Sequence, residues 1–405
     1  MIIKLAWRNI WRNKRRSIIT IVSILIAVFL SVSMRSMQLG MYDHMIKSIV
    51  ASYSGYIQIH ANGYMDQQTI DNSIEVNDDL LDSIANINGV NNIINRLQTF
   101  SLASSGDLTK GVLIQGVEIE KENLLVDWTT RLDTGTFFSN NNSDVILAKG
   151  VASYLQKGVG DTVIFIGMGY HGMSAAGMYK ICGIVDMRNP KINNLTVFMS
   201  LKNAQEYLSA PNIVTHIIID KEVKIDERKL SISIKKELDN NQYEVMDWRE
   251  LLPELEQTIK ADNVGGLIMV FILYMIITFG IFGTVLMMTQ ERFYEFGVMI
   301  SIGMKKLKLI KIVLLETITL SLIGVILGIF AALPIMYYFN IHPIKLASEQ
   351  AEAMEKFGFE PIIPMSTNLE IPLTHAALIF CISLIISIYP VITILKLDTI
   401  KAMKS

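Results

Sequence analysis

Four long stretches without Asp, Glu, Lys or Arg constrain this chain of 405 residues more than any other feature. They run Ser17–Met34, Asn263–Gln290, Thr317–Ile344 and Ile371–Leu395. A membrane-crossing helix needs about 20 predominantly apolar residues, because the hydrocarbon layer is roughly 30 Å thick. All four stretches reach or approach that length, so four crossings are expected. Charged residues make up 18% of the chain, whereas about 25% is usual for soluble domains. The deficit is concentrated in the four stretches. A cleaved secretion signal is the competing reading of the first one. Its basic lead of 16 residues, its length and the lack of an A-x-A-like site favour a retained anchor.

Direction follows from Lys and Arg near the span ends. Lys4, Arg8, Arg12, Lys14, Arg15 and Arg16 precede the first span. Arg292, Lys305, Lys306, Lys308 and Lys311 lie between the second and third, and Lys396, Lys401 and Lys404 follow the fourth. The loop between spans three and four carries Lys345 and Lys356 against Glu349, Glu352, Glu355, Glu360 and Glu370. All basic segments share one side if both termini are cytoplasmic. Residues 1–16 read as an interfacial amphipathic helix: Ile3, Trp7, Ile10 and Trp11 recur at helical spacing beside a stripe of Lys4, Arg8 and Arg12. A plain topology signal is the alternative, and the two are compatible.

The expected organisation is the interfacial helix at 1–16, a first span at 17–39, an extracytoplasmic domain at 40–262 and a second span at 263–289. A cytoplasmic coupling helix and loop at 290–311 follow, then a third span at 312–339, an outer loop at 340–373, a fourth span at 374–395 and a cytoplasmic tail at 396–405. The outer domain shows short β-rich runs at Ser54–His60, Lys110–Val117, Asp144–Leu147, Asp161–Ile166, Lys180–Val185, Thr196–Met199 and His216–Asp220. Two helix-then-strand units stand far apart. Asp78–Ile87 turns through Asn88-Gly89 into Val90–Thr99, and Asp226–Leu238 turns through Asn240-Asn241 into Tyr243–Trp248. This spacing predicts an α+β domain of two lobes, the second β-rich and inserted at about 118–205. Glycine-rich Gly167–Gly177 lacks the lysine of a phosphate-binding loop and reads as a hairpin loop, with His171 solvated. Leu251, Leu255 and Ile259 recur every fourth residue, as a helix running on into span two would require.

Several chemistries find no support. A net charge of -2 leaves no basic domain for nucleic acid. Six histidines and two cysteines, Cys182 and Cys381, show no zinc-ligand spacing, and the cysteines fall in different compartments. No nucleophile–base pairing stands out, so no catalytic residue, metal ligand or cofactor-binding residue is assigned.

The most informative segment is Thr289–Gly328. Glu291, Arg292 and Glu295 fall on one or two helical turns, Gly297 and Gly303 allow turns or close approach, and a basic run leads into span three. Read physically, this is a charged docking knob or a plain solvated loop. The segment resembles the FtsX/MacB/LolC-LolE superfamily of ABC transporter permeases. Glu291, Arg292, Glu295, Gly297, Gly303, Lys305–Lys308, Glu316, Gly324 and Gly328 match that pattern, with Ser301 where alanine is commonest. AWRNIWRNKRR near the start, the stretch from Tyr389 to Met403 and DVILAKGVASYLQKGVGDTVIF from Asp144 also fit, and WRELLPELEQTI from Trp248 is similar to lipoprotein-releasing permeases.

The resemblance implies an α-helical membrane protein with four transmembrane helices, of the type VII ABC permease kind, without ATPase activity of its own. It implies two permease copies, identical or paralogous, with two ABC ATPase subunits that hold ATP and Mg. Coupling to the ATPase would fall to Glu291, Arg292, Glu295, Phe296, Gly297 and Gly303. Helix packing would fall to the G-x-x-x-G of Gly324 and Gly328, and the membrane-surface helix to Trp7, Arg8, Trp11 and Arg12. Force would pass outward by mechanotransmission, most readily to release lipoproteins from the inner membrane, with a periplasmic carrier or adaptor as a possible further partner. Three acyl chains of about 15 methylenes are held by up to roughly 36 kcal/mol, so an apolar cleft, supplied by spans one and two, must shield them. The alternatives are a MacB-like peptide or drug exporter with a periplasmic adaptor, and an FtsX-like relay controlling cell-wall hydrolases.

Overall fold

The computed structural model describes residues 2–12, 14–125, 127–138, 143–187, 189–222, 225–347, 349, 351–352, 354 and 359–398. Its helices as far as the third span, in chain order, are α1 (Ile2–Arg12), α2 (Lys14–Ile46), α3 (Asp78–Ala85), α4 (Ile119–Glu122), α5 (Lys149–Leu155), α6 (Pro190–Asn193), α7 (Leu201–Tyr207), α8 (Glu227–Glu237), α9 (Trp248–Leu251), α10 (Pro253–Glu291), α11 (Phe293–Ser301) and α12 (Lys306–Ile341). Its principal strands are β1 (Ile57–Ala61), β2 (Ile74–Glu75), β3 (Val90–Ser105), β4 (Leu108–Val117), β5 (Leu132–Gly135), β6 (Asp144–Ala148), β7 (Thr162–Met168), β8 (Ser174–Val185), β9 (Thr196–Ser200), β10 (Ile213–Val214), β11 (His216–Lys221) and β12 (Tyr243–Asp247). Two compact units result. A helical unit takes Met1–His44, Thr258–Lys345 and Ile362–Ser405, and a sheet unit takes Met45–Gln257 and Leu346–Pro361.

Among the described residues, four helices are long and apolar enough to cross a membrane: Lys14–Ile46, Pro253–Glu291, Lys306–Ile341 and Glu370–Leu395. The first three run past the expected span ends because polar residues continue the helices without a break. The fourth divides at Ser387 into Glu370–Ile386 and Ile388–Leu395. Pro390 explains the division, since it has no N–H for the Ile386 carbonyl and its ring crowds that group. Ile24 and Val28 of α2 pack with Val285 of α10, Val325 and Ala332 of α12, and Ile379. Ile344–Lys345 pairs antiparallel with Ile362–Ile363, at the base of the stretch Leu346–Pro361. That stretch belongs to the sheet unit, so the expected outer loop at 340–373 is divided between the two units.

In the sheet unit each expected β run is a strand, and both helix-then-strand units form. Asn77 caps α3 by accepting from the Leu80 N–H, two aspartates follow in the first turn, and Gly89 turns at φ +105. Asp226 caps α8 in the same way. The run expected from Ser54 begins only at Ile57, because Lys47–Ser54 is a π-helix closed by Gly55 at φ +72. Gly167–Gly177 is a hairpin narrower than expected, with its turn at Tyr170–Gly172 and side-chain-exposed His171 near Asp71.

The strand ladders close on themselves. β3 pairs with β4, β4 with β9, β9 with β6, β6 with β8, β8 with β7, and β7 with β3 again. The result is a six-stranded barrel filled by Leu97, Val112, Ile114, Leu147, Phe165 and Val197. The barrel thus begins at Leu97, not at about 118: β3 and β4 supply two of its staves. The N-terminal half of β3 pairs instead with β11, which leads through β1 to β12 over a second core of Ile57, Ile59, Leu80, Ile84, Ile217 and Leu230. A third cluster, Trp128, Phe138, Ile146 and Phe198, covers the outer side of β6 and β9.

Residues 399–405 of the expected tail, with Lys401 and Lys404, lie outside the described residues, as do the side chains of Ile3 and Lys4.

Candidate functional site

The segment after α10 folds into the nine-residue helix α11, and its sequence explains both ends. Arg292 leaves the helical region and sits at the N-cap. Gly303 closes the other end at φ +100, where an L side chain is strained. Its N–H donates to the Ile300 carbonyl, and the Met304 N–H donates to the Met299 carbonyl. Those two bonds are the Schellman closure of a helix. Phe296 anchors the helix, 1% exposed, against Leu309, Ile310, Val313, Ile394 and Leu397.

The charges of this segment face the chain itself. Arg292 Nη1 donates to Glu316 Oε2 at 2.7 Å, with both side chains nearly fully buried. The guanidinium lies 5.3 Å from the Phe296 ring centroid. Glu295 pairs with Arg12 at the end of α1, and Glu291 with Arg16 at the start of α2. Three acid–base contacts therefore tie α11 and its approach to α1, α2 and α12. The exposed pairs contribute at most about 1 kcal/mol each. Losing one partner of the buried pair costs about 3–5 kcal/mol, so most of the fastening is at Arg292 and Glu316.

Of the two readings, knob or solvated loop, the segment takes the short helix of the first, but turns its charges toward the chain. Arg292, Phe296 and Gly297 are buried, and Gly297 sits inside the helix, not at a turn. Glu291 and Glu295 are partly exposed but engaged by arginines. The outward surface is apolar with a basic margin: Tyr294, Ile302 and Leu307 are exposed, Ile302 by 80%, beside exposed Lys305 and Lys308. Gly303 lies next to Ile302 and sets its position.

Gly324 and Gly328 pack against a neighbouring helix of the same chain. A Cβ at Gly324 would stand 2.8 Å from Ile24 Cβ, and one at Gly328 would stand 2.7 Å from Val28 Cβ. Only hydrogen lets α2 approach α12 this closely. In α1, Trp7 and Trp11 are half exposed with rings edge to face at 5.9 Å, and Arg8 is exposed. Ile10 does not share the tryptophan face; it is buried with Ala6, and its carbonyl accepts from Ser17 Oγ at 2.7 Å. Leu5 and Asn9 of α1 line a cleft of about 320 Å³ with Tyr294, Val298 and Met304.

Two polar clusters lay beyond the sequence reading. Arg35 Nη1 donates to Gln38 Oε1 at 2.6 Å and Asn263 Oδ1 at 2.8 Å, and the Tyr42 hydroxyl donates to Asp262 Oδ2 at 2.6 Å. Arg35 and Asp262 bound the first and second charge-free stretches, a signal that antiparallel neighbours would have made readable. In the sheet unit, His60 stacks on Tyr64 and His216 stands edge-on to both, with ring centroids 5.0–5.3 Å apart. Burial pushes His60 down to about 4. Burial, then the charges of His60 and Arg96, hold His216 well below the usual imidazole range. Among the described residues no three His, Cys, Asp or Glu side chains converge as metal ligands.

A model of the MacB-like periplasmic core domain matches residues 17–234, and a model of the FtsX-like permease C-terminal region matches 267–399. No curated protein matches the chain significantly. Among solved structures, the periplasmic region of MacB from Actinobacillus actinomycetemcomitans aligns at 13% identity over 53% of this chain and 95% of its own, with a TM-score of 0.36. The extracellular domain of the noncanonic ABC-type transporter YknZ from Gram-positive bacteria aligns at 11% identity over 48% of this chain and 100% of its own, with a TM-score of 0.34.

Proposed function

The chain belongs to the family of the MacB-like periplasmic core domain, here joined to an FtsX-like permease C-terminal region, and from that premise we propose that it couples a separate ATPase to the release of lipoproteins from the inner membrane. One observation carries the coupling: α11 is fastened inward by Arg292–Glu316 and its flanking pairs while Ile302, Tyr294 and Leu307 face outward. A rigid apolar tip with a lysine margin suits an apolar groove with acidic edges on a nucleotide-hydrolysing subunit. The ATP and Mg belong to that subunit, two copies of which serve two permeases. Both termini and the coupling segment are cytoplasmic in this reading, and the sheet unit is periplasmic. The second span supports an apolar path for the acyl chains, since 11% of its apolar window is buried within the chain against 33–39% for the other three.

Depletion of the chain tests the cargo. Lipoproteins accumulating in the inner membrane is the expected result. Normal lipoprotein sorting with loss of peptide or drug export would favour the second reading, an exporter working with a periplasmic adaptor, which the match to the MacB-like core domain supports.

A further inference from the structure

The barrel of the sheet unit is covered unevenly. Its outer wall at β6 and β9 is buried under Trp128 and Phe138. The wall formed by β3, β7 and β8 is bare, and it is apolar. Phe100 and Leu102 of β3, Ile164, Ile166 and Met168 of β7, and Met178 of β8 are each 39–68% exposed. Alternation puts them all outside: Ala103, Val163, Phe165, Ala175 and Ile181, of opposite parity, fill the barrel. Register makes them neighbours. Leu102 stands opposite Ile166, and Ile164 opposite Met178. Ser104, Thr162 and Ser174 continue the same outer faces near the ends of the strands and Lys180 does so within β8 opposite Thr162, so the patch has a polar margin with one charge.

Six such side chains expose on the order of 600 Å², at the upper limit for the largest patch on an ordinary monomer. Two copies face to face would bury roughly 1,200 Å², the lower bound for a specific, stable interface. An uncharged apolar centre with a polar margin is self-complementary, as a two-fold contact requires. We propose that this face of β3, β7 and β8 is where the sheet unit meets the same face of a second copy of the chain. The inference does not depend on the cargo or on the ATPase contact.

The test uses the full chain in native membranes with Cys182→Ser and Cys381→Ser. Cysteines placed singly at Ile166, Leu102 and Met178 are oxidised, with Tyr154→Cys, exposed elsewhere on the unit, as control. Covalent dimers from the patch positions but not from the control are expected, with at least a five-fold loss when Met168→Asp is added to Ile166→Cys. Three sites guard against one variant failing to fold, and each variant is scored by its membrane yield. The proposal is overturned if folded patch variants give no covalent dimer, if the control cross-links equally, or if a photo-reactive residue at Met168 labels lipid or another protein instead.

Discussion

Arg292 and Glu316 are separated by 24 positions and meet in the interior, so neither can be judged alone. Arg292→Ala strands a carboxylate and is expected to destabilise the helical unit by about 3–5 kcal/mol. Arg292→Met with Glu316→Leu should restore most of that loss. Thermal unfolding of the purified chain in detergent checks both; equal damage from the single and the double variant would count against a buried pair. In the sheet unit, His60 and His216 make stability depend on pH. The folded state excludes protons that the unfolded chain binds below about pH 6.5. Stability is therefore full above pH 6.5 and falls as pH drops toward about 4, by on the order of 3 kcal/mol for His60 alone. Melting the chain across that range should show the decline, and His60→Leu should lessen it, leaving the part due to His216.

Gly303 is the point where helix chemistry shapes the proposed coupling surface. Gly303→Ala forces a side chain into the left-handed region and weakens the Schellman closure, at about 1–3 kcal/mol. Melting should shift modestly, while stimulation of the partner ATPase falls at least several-fold; unchanged stimulation would mean the closure does not position Ile302. At this level, much was readable beforehand. Charge-free length specified the spans, and alternation at Lys110–Val117 specified the strand that runs Leu108–Val117. The helices expected at Asp78–Ile87 and Asp226–Leu238 formed, with Asn77 and Asp226 as their caps. The direction in which α11 turns its charges was not readable. A glutamate near an arginine reads as a solvated cluster until Arg12, Arg16 and Glu316 are known to surround it. Barrel closure escaped for a related reason. β3 changes partner along its length, and β4–β9 and β6–β8 are parallel pairs distant in sequence, which local pattern cannot reveal.

For the whole molecule, the two units divide the work by chemistry. The helical unit carries the buried ion pair and the apolar tip, and the sheet unit carries the barrel and the bare wall. Ile302→Asp with Leu307→Asp changes only exposed side chains, so the melting temperature should move little. Co-purification of the ATPase should nevertheless fall at least ten-fold. Retained association would place the contact elsewhere.

The closed ring of six staves has one more outcome. A sheet joined to itself has no edge strand within the ring. An extended polypeptide that tries to zip onto the ten-stranded sheet by main-chain bonding is therefore directed to its outermost strands, β12 and the short β5. Beside β12 a recess of about 230 Å³ is lined by Asn62, Lys235, Tyr243, Glu244 and Glu250. A threading chain would enter there largely among polar groups.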